Sequence, residues 1–145
     1  MNAFKSEVGV SNLIIAIVLG MFACNSSFAV TPESALTLSG DDEVPPVKTN
    51  ASGSGSIAVA PDKSVTGSVV TSGITATAAH IHTGAKGANG PVAIPLTKKG
   101  DNEWTVPPGT KLTDDQYNSF KSGNLYVNVH SAANPNGEIR AQLKP

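Results

Sequence analysis

The residues of this chain whose types and spacing could do chemistry are its three histidines. His80 and His82 stand two apart in Ala79-His80-Ile81-His82-Thr83-Gly84, and His130 closes the run Leu125-Tyr126-Val127-Asn128-Val129-His130. Successive side chains of a β-strand alternate faces, so residues i and i+2 point the same way. With both runs as strands, His80 and His82 share one face and His130 can join them from a neighbouring strand. Three imidazoles on one wall would hold a metal ion. Imidazole suits copper and zinc, and three histidines with an open position is also the donor set of catalytic zinc. The competing reading leaves all three as half-exposed strand residues bonded to loop backbone, with no metal. Three further polar residues could support the site: Asn128, with the same parity as His130; Arg140, on the strand expected to pair with it; and Glu43, in an acidic trio that otherwise reads as a solvated turn.

The elements that must position these groups are short strands. Ala35-Leu36-Thr37-Leu38, Ser56-Ile57-Ala58-Val59-Ala60, Val65 to Val70 and Ile74 to His82 alternate in the strand manner, with turns at Pro61-Asp62-Lys63-Ser64 and Ser72-Gly73. Ala79 and Ile81 mark the core side of the His-x-His strand, which leaves the histidines on the other face. Gly84-Ala85-Lys86-Gly87-Ala88-Asn89-Gly90 lacks the Gly-Lys-Ser/Thr ending of a phosphate loop. It reads as a compact turn whose glycines let the backbone pass close to the histidines. Val92 to Leu96 resumes as a strand, with Pro95 suggesting an edge, Lys98 to Asn102 is a charged turn, and Glu103 to Val106 is another strand. The spacing predicts a helix over Asp114 to Ser122: Thr113 caps it, Gln116 completes a capping box, and Gly123 ends it. Leu125 to His130 and Glu138 to Leu143 are the last strands, joined by Asn134-Pro135-Asn136-Gly137, where Asn-Gly suggests a two-residue primed turn. The expected fold is all-β: a Greek-key β-sandwich of about eight strands with one short inserted helix.

Length and composition set the frame. At 145 residues the chain holds one domain, and a net charge of −1 with 14% charged residues excludes the basic stripe of a nucleic-acid binder. Residues 13–23 are an apolar run too short to span a bilayer comfortably, with Lys5 before it and Ser27-Phe28-Ala29 after it. That is the layout of a secretory signal peptide over residues 1–29, cleaved after Ala29, with residues 30–145 as the mature domain. Periplasmic or extracellular placement follows, with no membrane span in the mature chain, and such export makes copper plausible. An uncleaved anchor is the alternative. A lipoprotein acylated at Cys24, the single cysteine, is a further alternative, although Met21-Phe22-Ala23 stands where a Leu and then a small residue would be expected. Cleavage after Ala29 leaves a mature chain without disulfide or thiol chemistry.

Several motifs in order carry a family resemblance: Leu38-Ser39-Gly40, Glu43-Val44-Pro45-Pro46-Val47, Ala79 to Gly84, Asn89-Gly90-Pro91-Val92, Leu125 to His130, and Pro135 with Gly137-Glu138-Ile139-Arg140. Together, from about Leu36 to Leu143, they resemble a CHRD domain, the module first named from chordin. The resemblance implies an extracytoplasmic β-rich domain, and the absence of cysteine-rich modules argues against chordin's growth-factor role. A weaker resemblance links Gly67-Ser68-Val69, Ser72 to Thr75 and His80-Ile81-His82 to copper-zinc superoxide dismutases. By that likeness His80, His82 and His130 match three of four copper-binding histidines, and Arg140 stands where an active-site arginine could. The bridging histidine, the zinc loop and the disulfide cysteines of that family have no counterpart here. The resemblance therefore implies metal binding and a shared fold without dismutase activity.

Other chemistries fare worse. Ser131 adjoins His130, but neighbours along a strand face opposite ways and cannot form a nucleophile–base pair. The sequence thus points to a binding module for copper or zinc, with no catalytic residue assigned. A structural or adhesive envelope module without metal is the alternative, and a copper-dependent redox enzyme a further one.

Overall fold

A computed structural model describes residues 33–145. The expected signal peptide, its cleavage point and Cys24 lie outside the described residues. Nine strands and one helix follow in order: β1 (Glu33–Leu38), β2 (Ser52–Val59), β3 (Val65–Ser72), β4 (Ala76–Thr83), β5 (Val92–Pro95), β6 (Thr97–Lys98), β7 (Glu103–Thr105), α1 (Asp114–Lys121), β8 (Leu125–Ser131) and β9 (Ile139–Gln142). They form two antiparallel sheets, ordered β1-β2-β3-β7-β6 and β5-β4-β8-β9. The chain changes sheet between β3 and β4, between β5 and β6, and between β7 and β8. The return of β7 to the side of β3 is a Greek-key connection. The expected all-β sandwich is therefore what forms. The additional strand, β6, occupies two residues of the stretch around the expected charged turn and pairs with β7.

Alternation builds the core. Leu36 and Leu38 from β1, Ile57 and Val59 from β2, and Val65 and Val69 from β3 meet Ala79, Ile81, Val127, Val129, Ile139 and Ala141 of the other sheet in one buried cluster. Burying such aliphatic side chains stabilises the fold by about 1.5–3 kcal/mol each. The helix forms as its caps dictate. Thr113 Oγ1 accepts from the Gln116 N–H, and the Gln116 side chain accepts from the Thr113 N–H. Phe120 then packs the helix onto the core.

Two strand features position the polar residues. In β4, Ala79 and Ile81 face the core, so His80 and His82 face outward from the sandwich. In β8 all seven residues are buried, although Tyr126, Asn128 and His130 alternate with the core-facing Leu125, Val127 and Val129. The outer face of this sheet is therefore covered. The segment from Ser39 to Val47 and the glycine-rich loop lie over it, tied together by the Asn89 side-chain amide donating to the Val44 carbonyl at 2.7 Å. Outward parity thus leads here to a second, polar interior.

The β8–β9 connection corrects one expectation. The Gly137 N–H bonds the Asn134 carbonyl at 3.1 Å, and Asn136 keeps a negative φ, so no primed two-residue turn forms. Pro135 instead takes the second place of a four-residue turn, where its fixed φ suits it. The resulting longer loop brings the Pro135 carbonyl back over His130.

A candidate metal centre

The three histidines meet. One ligand nitrogen from each of His80, His82 and His130 lies within 4.8 Å of the other two. His82 and His130 are buried, with 8% of each exposed, whereas His80 is only partly covered and gives the cluster its opening to solvent. His80 Nδ1 approaches His130 Nε2 at 3.0 Å. The cross-strand register explains the meeting: His80 pairs with Asn128, His82 with Tyr126, and His130 with Ala78, so β4 and β8 present one shared face.

Backbone carbonyls set the tautomers. His82 Nδ1 donates to the Gly90 carbonyl at 2.9 Å, and His130 Nδ1 donates to the Pro135 carbonyl at 3.0 Å. A carbonyl can only accept, so both Nδ1 atoms carry the proton and both Nε2 atoms present lone pairs. This is how metal-ligating imidazoles are commonly oriented. His82 Nε2 has no hydrogen-bond partner among the described residues despite its burial. Burial pulls all three histidines below their ordinary pKa. At His80 the neighbouring imidazoles add to the effect, while at His82 and His130 the carbonyl hydrogen bonds oppose it. The neutral, ligating form is favoured.

Around this cluster runs a buried polar layer. His82 stacks on Tyr126, with ring centroids 4.9 Å apart and planes 5° from parallel. The Arg140 guanidinium sits over the same tyrosine at 3.4 Å. Strand order β4-β8-β9 places His82 and Arg140 on opposite sides of Tyr126. Arg140 is only 2% exposed. Its Nη1 donates to Asn89 Oδ1, and its Nη2 to the Ala85 and Ala88 carbonyls and to Gln142 Oε1, at 3.0–3.3 Å. It thereby clamps the loop that presents the Gly90 carbonyl to His82. Tyr126 clamps it too, its hydroxyl accepting from the Gly90 N–H at 3.2 Å. Glu43 is buried, and burial raises its pKa against the opposing pull of Arg140 and Asn128.

A family model described as the CHRD domain matches residues 35–143. The chain belongs to the CHRD family. The match spans every described strand from within β1 through β9, and so includes the whole histidine cluster. No curated protein and no solved structure matches the chain. The resemblance to superoxide dismutases therefore rests on the sequence motifs alone. In this CHRD domain the structure brings together His80, His82 and His130, with Asn128, Arg140 and Glu43 in the surrounding layer. Arg140 faces Tyr126 and the loop carbonyls. Ser131 turns away from the imidazoles and donates to the Glu138 carboxylate. Reading the sequence missed the Gly90 and Pro135 carbonyls, which no side-chain motif announces, and Tyr126, which its parity with His130 signals.

Proposed function

We propose that this CHRD domain is an exported metal-binding module, with copper the favoured ion and zinc the second, held by His80, His82 and His130. One observation carries the reading. His82 Nε2 is a buried lone pair without a partner among the described residues, beside two further imidazoles and with its Nδ1 proton already committed to Gly90. A buried unpaired acceptor costs about 1–3 kcal/mol, which a bound cation would remove. The donor set fits: neutral imidazoles suit copper and zinc, and first-row affinities peak at copper. An ion bonded to each nitrogen at about 2.0–2.1 Å requires nitrogen separations of about 3.3 Å, so the widest pair closes on binding. Export is supported by the layout of residues 1–29.

Titration of the purified protein with Cu(II) and with Zn(II) tests the reading, using calorimetry for both ions and electron spin resonance for copper. His80→Ala and His130→Ala should each weaken binding by at least about tenfold, the lower end for loss of a supporting contact. Binding by the wild type no tighter than by these variants refutes the site. A second reading would then stand, that of a structural module. The direct His80–His130 contact at 3.0 Å favours it, since that pair satisfies itself without an ion.

A further inference from the structure

The dipeptide Asn-Gly occurs twice in the sequence, at Asn89-Gly90 and at Asn136-Gly137. It carries a chemistry of its own. A glycine nitrogen, unhindered by a Cβ on its own residue, attacks the side-chain carbonyl carbon of the preceding asparagine and expels ammonia, which makes such asparagines thermolabile. Attack requires the amide side chain to swing free and the glycine nitrogen to approach Cγ. In sequence the two dipeptides are equal. In the fold they are not.

At residue 89 each moving part is held. Asn89 Oδ1 accepts from Arg140 Nη1 at 3.3 Å, and its Nδ2 donates to the Val44 carbonyl at 2.7 Å. The Gly90 N–H donates to the Tyr126 hydroxyl at 3.2 Å, and Gly90 is wedged so closely that a Cβ there would lie 1.7 Å from the Thr83 carbonyl oxygen. Residue 136 is held less. Asn136 is exposed, and among the described residues no side-chain hydrogen bond restrains it. The Gly137 nitrogen is tied by one turn bond, to the Asn134 carbonyl at 3.1 Å. The atoms nearest a would-be Cβ on Gly137 are the ends of the Glu43 and Asn128 side chains, which can give where backbone cannot. Residues 132–138 lie between β8 and β9 in neither strand nor helix, so this loop opens locally at little cost.

We propose that Asn136 is a site of spontaneous deamidation, with water as the co-reactant, and that the fold shields Asn89 from the same reaction. The Gly137 nitrogen gives up its proton and bonds to Asn136 Cγ. The Cγ–Nδ2 bond breaks, and ammonia leaves with that proton, closing a cyclic imide. Water then opens one of the two C–N bonds of the imide and leaves an aspartate or an isoaspartate at position 136. No oxidant or reductant takes part. Isoaspartate adds a methylene to the main chain beside Gly137, in the loop whose Pro135 carbonyl holds His130 Nδ1 at 3.0 Å. The reaction therefore loosens the seat of one of the three imidazoles, and it does so whether or not a metal binds there.

Ageing the purified protein at mildly alkaline pH tests this, in native buffer and in urea, with peptide mapping by mass spectrometry and fragmentation that tells isoaspartate from aspartate. In the folded protein residue 136 should convert at least about tenfold faster than residue 89, the equivalent of about 1.4 kcal/mol of barrier. In urea the two rates should converge, because the fold and not the dipeptide separates them. Arg140→Met, which releases Asn89 Oδ1, should speed conversion at 89 relative to 136. The deamidated fraction of the wild type, separated by its added negative charge, should exchange its amides over residues 132–138 faster than the unaged protein. Matching rates at 136 and 89 in the folded protein overturn the proposal, and so does a residue 136 that reacts in urea but stays intact in the folded protein. Unchanged amide exchange in the deamidated fraction overturns the loosening of the His130 seat.

Discussion

Replacing Gly90 with alanine disturbs the cluster without touching a histidine. A Cβ built on Gly90 would lie 1.7 Å from the Thr83 carbonyl oxygen and 2.8 Å from its carbon. Neither atom can yield, because both are backbone of β4. Restoring a separation of about 3.0 Å moves residue 90 by about 1.3 Å, enough to stretch a 2.9 Å hydrogen bond beyond its useful range. Two bonds are then at stake, from His82 Nδ1 to the Gly90 carbonyl and from the Gly90 N–H to the Tyr126 hydroxyl. At about 1–3 kcal/mol for each of the two bonds lost, the metal-free protein should lose about 2–6 kcal/mol of stability. Metal affinity should fall by about 10- to 100-fold, as when a ligand imidazole loses its orienting partner. Gly87→Ala in the same loop is the control. That position has nothing within 4 Å of its would-be Cβ but a φ of +80°. Alanine there should cost about 1–2 kcal/mol of backbone strain and leave metal affinity unchanged. Denaturant melts and calorimetry on both variants decide the matter. Wild-type stability and affinity in Gly90→Ala would refute the idea that this loop orients His82.

Acidity gives a second test. Burial holds His82 and His130 below the ordinary histidine pKa, so as pH falls the unfolded chain takes up protons before the folded one. Stability of the metal-free protein is full above about pH 6.5, the unfolded value, and declines below it by at most about 1.4 kcal/mol per pH unit for each residue. Denaturant melts from neutral to mildly acid pH should show this decline, and His130→Ala should show a shallower one. Arg140→Met removes the guanidinium from Tyr126 and strips the Ala85 and Ala88 carbonyls of their partner. It should cost about 2–4 kcal/mol and speed amide exchange in residues 84–91; unchanged exchange there would contradict the clamp. Thr113→Ala breaks the capping box and should cost about 1 kcal/mol by thermal unfolding, with metal affinity as in the wild type.

Much of the fold is legible because its signals are local. The helix from Asp114 announces itself through Thr113 and Gln116, whose reciprocal bonds need only three residues of spacing. The meeting of His80, His82 and His130 is legible through parity, since Ala79, Ile81, Val127 and Val129 identify the core side. What parity leaves open is whether the other side meets water or a lid. Tyr126, Asn128 and Arg140 look like solvent-facing residues until Ser39 to Val47 and the glycine-rich loop fold over them. That covering depends on contacts between segments about 45 residues apart, such as Asn89 with Val44. The Asn134–Gly137 turn misleads for a related reason. Asn-Gly suits a tight primed turn in isolation, but the loop instead adopts the path that seats Glu43 and Asn128 against Gly137 and the Pro135 carbonyl against His130.

The isolated bridge between Ser39 and Arg140, with its two backbone bonds of 3.1 and 2.9 Å, joins the margins of the two sheets just past β1. Its effect reaches beyond the polar layer. The outer strands of the sandwich are β1 and β9, which meet at this bridge, together with the two-residue β6 and the four-residue β5 ending at Pro95. Short margins, a proline and a joined corner offer little template for another chain to extend by strand pairing. Residues 33–145 contain no cysteine, so nothing in this arrangement depends on an oxidant. The described fold therefore needs no disulfide and leaves few long free strand edges.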